Sequence, residues 1–336
     1  MCIRDRYEIG DLLFSVKRPS KKTSSLSFHT PELINHLLQK GRSEKKKLWE
    51  QYSKQNTIVH SQHDLLWRNI SELIYRDCGK FSCARQFFIP AGRSFFAHLE
   101  TSMFSFLSSN NAIDPFLIEF GKFYSLMRLH AMAWTESRPS PASLRRAEEI
   151  NQEILGGEYR RNLDEDFLHF PDGRKVRLAN ASSGQQEMLP LGIVLKWMIS
   201  GLLPTGGTLY IEEPEAHLFP DSQRMVVELM AYVFNKAESN LQFVITTHSP
   251  YILSAFNNLI YAGGLAQRLP KGKLSRLADI VPKEHMLSAE DVRAYAFQKG
   301  GVTNLYSKDT GLLTADVIDG VSEELAAKFG ELLEVE

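Results

Sequence analysis

Residues 209–220 read LYIEEPEAHLFP, an apolar run that ends in two adjacent carboxylates, Glu212 and Glu213, and is stopped by Pro214. Carboxylates at the end of a strand suit phosphoryl chemistry. One can hold a magnesium ion through water, and its neighbour can orient or deprotonate a water aimed at a terminal phosphate. A second apolar run, LQFVITTH at 241–248, also ends in polar groups, and Thr246, Thr247 and His248 offer hydroxyls and an imidazole to sense the same phosphate. A third segment, ASSGQQE at 181–187, sets two serines and a glycine before an apolar helical stretch. Free N–H groups and the positive end of a helix dipole make an anion site there. Gly184 permits close backbone approach, and Ser182 can donate a hydroxyl. Ser182 and Ser183 can equally be a helix N-cap with Gln185 or Gln186 at the capping-box position, and both roles can coexist.

These groups converge only if the right elements carry them. In α/β folds ligands gather at the carboxyl ends of parallel strands, and both TLYIEE and LQFVITTH put their polar residues at that edge. Each is short and nearly all apolar, which predicts parallel strands buried on both faces. Between them, DSQRMVVELMAYVFNKAES has Asp221 as an N-cap and Val226, Met230, Val233 and Phe234 on one side, the pattern of a crossover helix. Upstream, residues 30–77 show helical spacing, and RQFFIPAGRS reads as a short buried strand ended by Pro90 and Gly92. A helical region from 114 to 155 is broken by the prolines of SRPSP. DFLHFPDGRKVR alternates around Asp172-Gly173 as a hairpin, and its second strand leads to the helix that carries MLPLGIVLKWM, with Pro190 inside it only in the first turn or two. After Tyr251 the pattern predicts a helix, a strand near NLIYAG, a polar connection and a last helix from about Ser322. YEIGDLLFSVKRP, near the start, alternates like a strand.

Taken in this order, the three segments resemble the C-terminal lobe of ABC-type ATPase heads, in particular the SMC-like and OLD-like AAA family ATPases. The fold this implies is α/β, of the P-loop NTPase kind, with parallel core strands, a helical insertion and a remnant of an N-terminal β lobe. The resemblance places Ser182, Ser183, Gly184 and Gln185 on the nucleotide-binding signature motif. It places Glu212 on the magnesium position of Walker B, Glu213 on the catalytic base and His248 on the switch histidine. Ala216 and His217 fall in the D-loop, which faces a partner subunit. FIPAGRS also resembles a Pro-Ala-x-Arg segment of these heads. The activity implied is ATP hydrolysis with Mg2+ in an ATP-sandwich homodimer, with DNA or a nuclease or other effector as candidate partners. The organisation implied runs 1–28 (remnant β lobe), 29–84 (helical), 85–113 (core strand and linker), 114–160 (helical insertion), 161–265 (signature, Walker B and switch histidine) and 266–336 (strand and helix extension).

One part of such a site is missing from the sequence: no G-x-x-x-x-G-K-[ST] run occurs among the 336 residues. Upstream truncation is the simplest expectation, and the leader MCIRDR is consistent with an artificial start. The alternative is a non-catalytic dimerisation module, or one that docks on DNA or a partner. Composition narrows the rest. Lys plus Arg total 39 against 40 Asp plus Glu, so no global charge draws the chain to nucleic acid or an anionic membrane. The apolar run LGIVLKWMISGLL is interrupted by Lys196 and is shorter than a bilayer span. With Cys2, Cys78 and Cys83 unable to complete a zinc site, the expectation is a soluble, cytoplasmic protein with reduced thiols.

Overall fold

A computed structural model describes residues 5–9, 12–17, 25–28, 85–97, 114–137, 141–162, 165–200, 207–237, 241–298, 301–307, 310–314, 327–330 and 332. The helical stretch expected at 30–77 and all three cysteines lie outside these residues, as does most of the helix expected from Ser322, of which 327–330 and 332 are helical. The chain forms two units, residues 1–86 with 204–208 and residues 87–203 with 209–336.

In the first unit YEIGDLLFSVKRP resolves into two strands. These are β1 (Asp5–Ile9) and β2 (Leu12–Lys17), followed by β3 (Ser25–Phe28), and the three pair antiparallel in that order. Tyr7 lies opposite Phe14, and Phe14 opposite Phe28.

The second unit holds most of β4 (Arg85–Ile89), which ends at Pro90 as the sequence predicts. The helical region splits at SRPSP into α1 (Pro115–Ser137) and α2 (Ala142–Leu155). Leu144, Ala147, Ile150 and Ile154 form the buried stripe of α2, and Gly156 closes it in the left-handed conformation, φ 67°. Next come β5 (Glu158–Asn162), β6 (Glu165–His169) and β7 (Lys175–Arg177), an antiparallel meander turning at Gly173, φ 86°. The hairpin β6–β7 was legible. β5 was not, because its EYRRN sequence has no apolar alternation. Its buried chemistry lies in an ionic cluster: Asp166 accepts from Tyr159 Oη at 2.7 Å and from Arg161 at 3.0 Å, and Arg128 of α1 reaches it at 2.6 Å.

The central element is α3 (Ser183–Met198), buried without a break from Gln186 to Leu195. Burying each of Leu189, Leu191, Val194 and Leu195 contributes roughly 1.5–3 kcal/mol. Pro190 sits just past the second turn and the helix continues through it. Gly192 lets α2 approach closely, since a Cβ there would lie 2.0 Å from Asn151 Oδ1.

Then follow β8 (Gly207–Glu212), α4 (Pro220–Lys236) and β9 (Leu241–Thr246), with sheet order β4-β8-β9. The N–H of Glu213, just past β8, donates to the carbonyl of Thr246, the last residue of β9, at 2.9 Å. Ala91, just past β4, donates to the side chain of Glu212. All three carboxyl ends therefore meet at one edge, so the strands run parallel and α4 is a crossover helix. The α/β fold with parallel core strands is thus as expected from the sequence.

Three local expectations are corrected. The N-cap of α4 is Phe219, because Pro220 takes the first helical position, where its missing N–H is harmless; Asp221 falls in the first turn. On β9 the residues Gln242, Val244 and Thr246 are exposed, so this strand buries one face rather than two. NLIYAG is helical, inside α5 (Pro250–Arg268). There Leu259, Ile260, Ala262 and Gly263 continue the buried stripe begun by Ile252, Leu253 and Ala255, and a short apolar run cannot by itself distinguish helix from strand. The unit continues through α6 (Leu274–Ile280) to a hairpin of β10 (Tyr295–Gln298) and β11 (Gly301–Asn304). No helix among the described residues is long and apolar enough to cross a membrane.

His285 gives the fold a pH dependence. It is 2% exposed, edge-on to Tyr232 with ring centroids 5.9 Å apart, and neither ring nitrogen has a hydrogen-bond partner. Burial holds its pKa below the ordinary histidine value, against the opposing charges of Glu228 and Glu284 and with that of Arg146. The unfolded chain therefore takes up the proton first. This contribution to stability is full above the ordinary histidine pKa of about 6.5 and is lost as pH falls toward the folded value, at up to about 1.4 kcal/mol per pH unit. Denaturant unfolding between pH 7.5 and 5 should show this loss in the wild type, and His285→Phe should flatten it.

Candidate functional site

The edge where β4, β8 and β9 end holds most of the residues singled out from the sequence. The chain leaves β8 in a tight turn, in which Ala216 N–H donates to the Glu213 carbonyl at 3.0 Å and Leu218 N–H to the Glu215 carbonyl at 2.9 Å. Two non-glycine residues of this turn have positive φ, Glu213 at 41° and His217 at 60°. Such conformations cost on the order of 1–3 kcal/mol each and persist only where the surroundings enforce them. The enforced geometry aims Glu213 at His248: Oε1 lies 3.7 Å from Nε2, with the two side chains 45% and 89% exposed. Both groups thus face solvent, where a substrate can reach them. Glu212 is half-buried, and its Oε2 accepts from Ala91 N–H at 3.2 Å.

Arg93 enforces this geometry. It is fully buried and spans the site with its whole fork: Nε donates to the Glu187 carbonyl (3.0 Å), Nη1 to the carbonyls of Pro90 (2.9 Å) and Glu212 (2.8 Å), and Nη2 to that of Glu213 (3.1 Å). Its Nε also lies 3.4 Å from Glu187 Oε2. The Glu187 carboxylate accepts from the backbone N–H of Arg93 (2.8 Å) and Ser94 (2.9 Å), fixing the short turn of 3-10 helix at Arg93–Ala97. Burial draws the Arg93 pKa down, opposed in turn by the charges of Glu187, Glu215, Glu213 and Glu212. The sequence marked FIPAGRS only as a resemblance and gave Arg93 no role. An arginine three residues beyond a strand-ending proline was the available signal.

Of the cap pairings the sequence allows at the start of α3, the structure forms the capping box of Ser182 with Gln185. Ser182 Oγ accepts from Gln185 N–H at 3.4 Å, and Gln185 Oε1 accepts from Ser182 N–H at 3.1 Å. Gln185 is further tied to the C-terminus of α2 by a 2.6 Å bond from Nε2 to the Leu155 carbonyl. Ser182 and Ser183 are exposed at the mouth of the helix, open to an incoming anion, whereas Gly184 is buried. Of the residues 182–185, Gly184 is the one that meets the turn. A Cβ there would come within 2.7 Å of the His217 carbonyl, so only glycine allows α3 and the turn to touch. Ala216 is half-buried and His217 exposed. Thr247, suggested above as a phosphate sensor, is already committed: its hydroxyl donates to Glu215 Oε1 at 2.6 Å.

Glu212 and Glu213 are half-buried carboxylates at this edge, oxygen donors of the kind a hard divalent cation takes, whereas the carboxylates of Glu187 and Glu215 are already bonded to protein N–H and hydroxyl groups. No group of three or more ligating side chains occurs among the described residues. Magnesium commonly takes one or two carboxylates and completes its shell with water and substrate phosphates.

Among solved structures, the chain is similar to the Smc head domain with an extended coiled coil, bound to the C-terminal domain of ScpA, from Pyrococcus furiosus. The identity is 13%, over 73% of this chain and 67% of that one, with a TM-score of 0.31. Residues 11–253 match the AAA ATPase domain family over an unbroken span that takes in α3, β8, α4 and β9. The protein whose strand ends bring Glu212, Glu213 and His248 to one edge is therefore a member of the AAA ATPase domain family.

Proposed function

We propose that the chain is the ATP-hydrolysing head of an ABC-like ATPase that works as an ATP-sandwich homodimer, with residues 161–265 as its signature and Walker B lobe. The observation that carries this reading is the approach of Glu213 to His248 at 3.7 Å, at the carboxyl end of a parallel sheet, beside a second carboxylate. In this reading Glu213 orients a water and accepts its proton at a side-chain oxygen, and His248 stabilises the attacking geometry. Glu212 would hold Mg2+, which when bound neutralises phosphate charge. Ser182 and Ser183, with the N–H groups that open α3, would bind the γ-phosphate held by a second copy, with Gly184 and Gln185 shaping that helix mouth. Ala216 and His217 would lie toward the same partner. The loop that cradles the β- and γ-phosphates would come from outside these 336 residues.

The absence of a G-x-x-x-x-G-K-[ST] run favours a second reading, a dimerisation or docking module for DNA or an effector that does not turn ATP over. Phosphate release and light scattering on the full-length protein separate the two. The ATPase reading expects Mg2+-dependent hydrolysis that stops with EDTA, together with an ATP-induced dimer. Neither effect is expected of a docking module.

A further inference from the structure

We propose that Glu215 is a positioning residue for the hydrolytic pair, holding the loop that carries His248 within reach of Glu213. The proposal rests on the ATPase reading above. Glu215 lies two residues past Glu213, between the two strained positions of the turn. Its Oε1 accepts two hydrogen bonds from one loop, from Thr247 Oγ1 at 2.6 Å and from the His248 backbone N–H at 2.9 Å. Thr247 Oγ1 in turn accepts from Ser249 N–H at 3.0 Å. One carboxylate oxygen and one hydroxyl thus satisfy consecutive N–H groups between β9 and α5, and bonds to an ionised acceptor are roughly twice as strong as neutral ones.

The exposure of His248 is what makes this tether matter. With its side chain 89% exposed, the imidazole has little packing to hold it, so its place opposite Glu213 follows from its backbone. Two neutral contacts complete the ring. Ser249 Oγ bonds Gln223 Oε1 at 2.5 Å and Gln223 Nε2 donates to the Leu218 carbonyl at 2.9 Å, but these reach the loop one residue beyond the histidine. Glu213 N–H on Thr246 joins the elements two residues before it. Glu215 is the charged group bonded to the backbone of His248 itself. Its second oxygen is buried with no hydrogen-bond partner, so the hydrogen bonding of the carboxylate is directed to this loop. Because Glu215 shares a turn with His217, which touches the start of α3 at Gly184, the tether also links the signature end of the molecule to the histidine.

The test compares Glu215→Ala, Glu215→Gln and Thr247→Val in the full-length protein, by ATP hydrolysis with Mg2+ and by amide hydrogen exchange at 246–249. Glu215→Ala should lower kcat on the order of 10- to 100-fold, the size of effect expected when a reacting group is displaced by about an ångström. KM for ATP should stay within about twofold, and the His248 amide should exchange faster. Glu215→Gln keeps an acceptor at the same reach and should recover most of the loss, while Thr247→Val, which removes one donor to Glu215 and the acceptor of Ser249 N–H but leaves the His248 N–H bond, should give a smaller loss than Ala. A Glu215→Ala enzyme with wild-type kcat, equal loss in Ala and Gln, or a loss confined to KM would overturn the proposal. If the wild type hydrolyses no ATP, the ATPase reading falls. The tether is then judged by exchange alone, and unchanged protection of His248 in Glu215→Ala would refute it.

Discussion

Glu213→Gln should lower ATP turnover by about 10²- to 10⁴-fold in the full-length protein, the range a positioned general base contributes. Glutamine has nearly the same shape and can still hydrogen-bond, but it cannot take a proton from water. The turn is held through backbone groups, with the Glu213 carbonyl on Arg93 and its N–H on Thr246, so the substitution leaves the strained geometry in place. On the proposed ATP-sandwich reading, nucleotide binding should therefore survive, and ATP should hold the dimer closed instead of releasing it. Steady-state phosphate release measures the first effect, and light scattering with and without ATP measures the second. Turnover at the wild-type rate would remove Glu213 from the role of base.

Arg93→Ala should destabilise the protein by about 3–5 kcal/mol, the usual result of removing one partner of a buried ion pair. Two losses combine. The Glu187 carboxylate, 1% exposed, is left without its cation, and the carbonyls of Pro90, Glu187, Glu212 and Glu213 lose a shared donor. Arg93→Lys keeps the charge but not the fork that reaches four carbonyls, and should fall between the wild type and Ala. Denaturant unfolding gives the number, to be set against a typical total of about 5–15 kcal/mol. A change under about 1 kcal/mol for Arg93→Ala would show that the clamp is not what holds the strand ends together.

Several features were legible because they depend on neighbours in sequence. The capping box at Ser182 and Gln185, the break at SRPSP, the turn at Asp172-Gly173 and the end of β4 at Pro90 each follow from local backbone chemistry. Features set by distant partners were not. NLIYAG reads equally as strand or helix, and becomes helical because α5 buries one continuous stripe. β5 has no apolar signal, since what it buries is an arginine and a tyrosine gathered on Asp166.

The site divides in the same way. Carboxylates at 212 and 213, a histidine at 248 and a glycine at 184 are residue types with chemistry of their own, and their order along the chain is what made them candidates for phosphoryl chemistry. That Thr247 serves Glu215, that Glu215 holds His248, and that Arg93 binds the end of β8 to α3 are contacts between residues 32 to 120 positions apart. Sequence alone determined the candidate groups. Only the tertiary structure decided which groups hold them in place, because a hydrogen bond between distant residues exists only once the sheet has brought its strand ends to one edge.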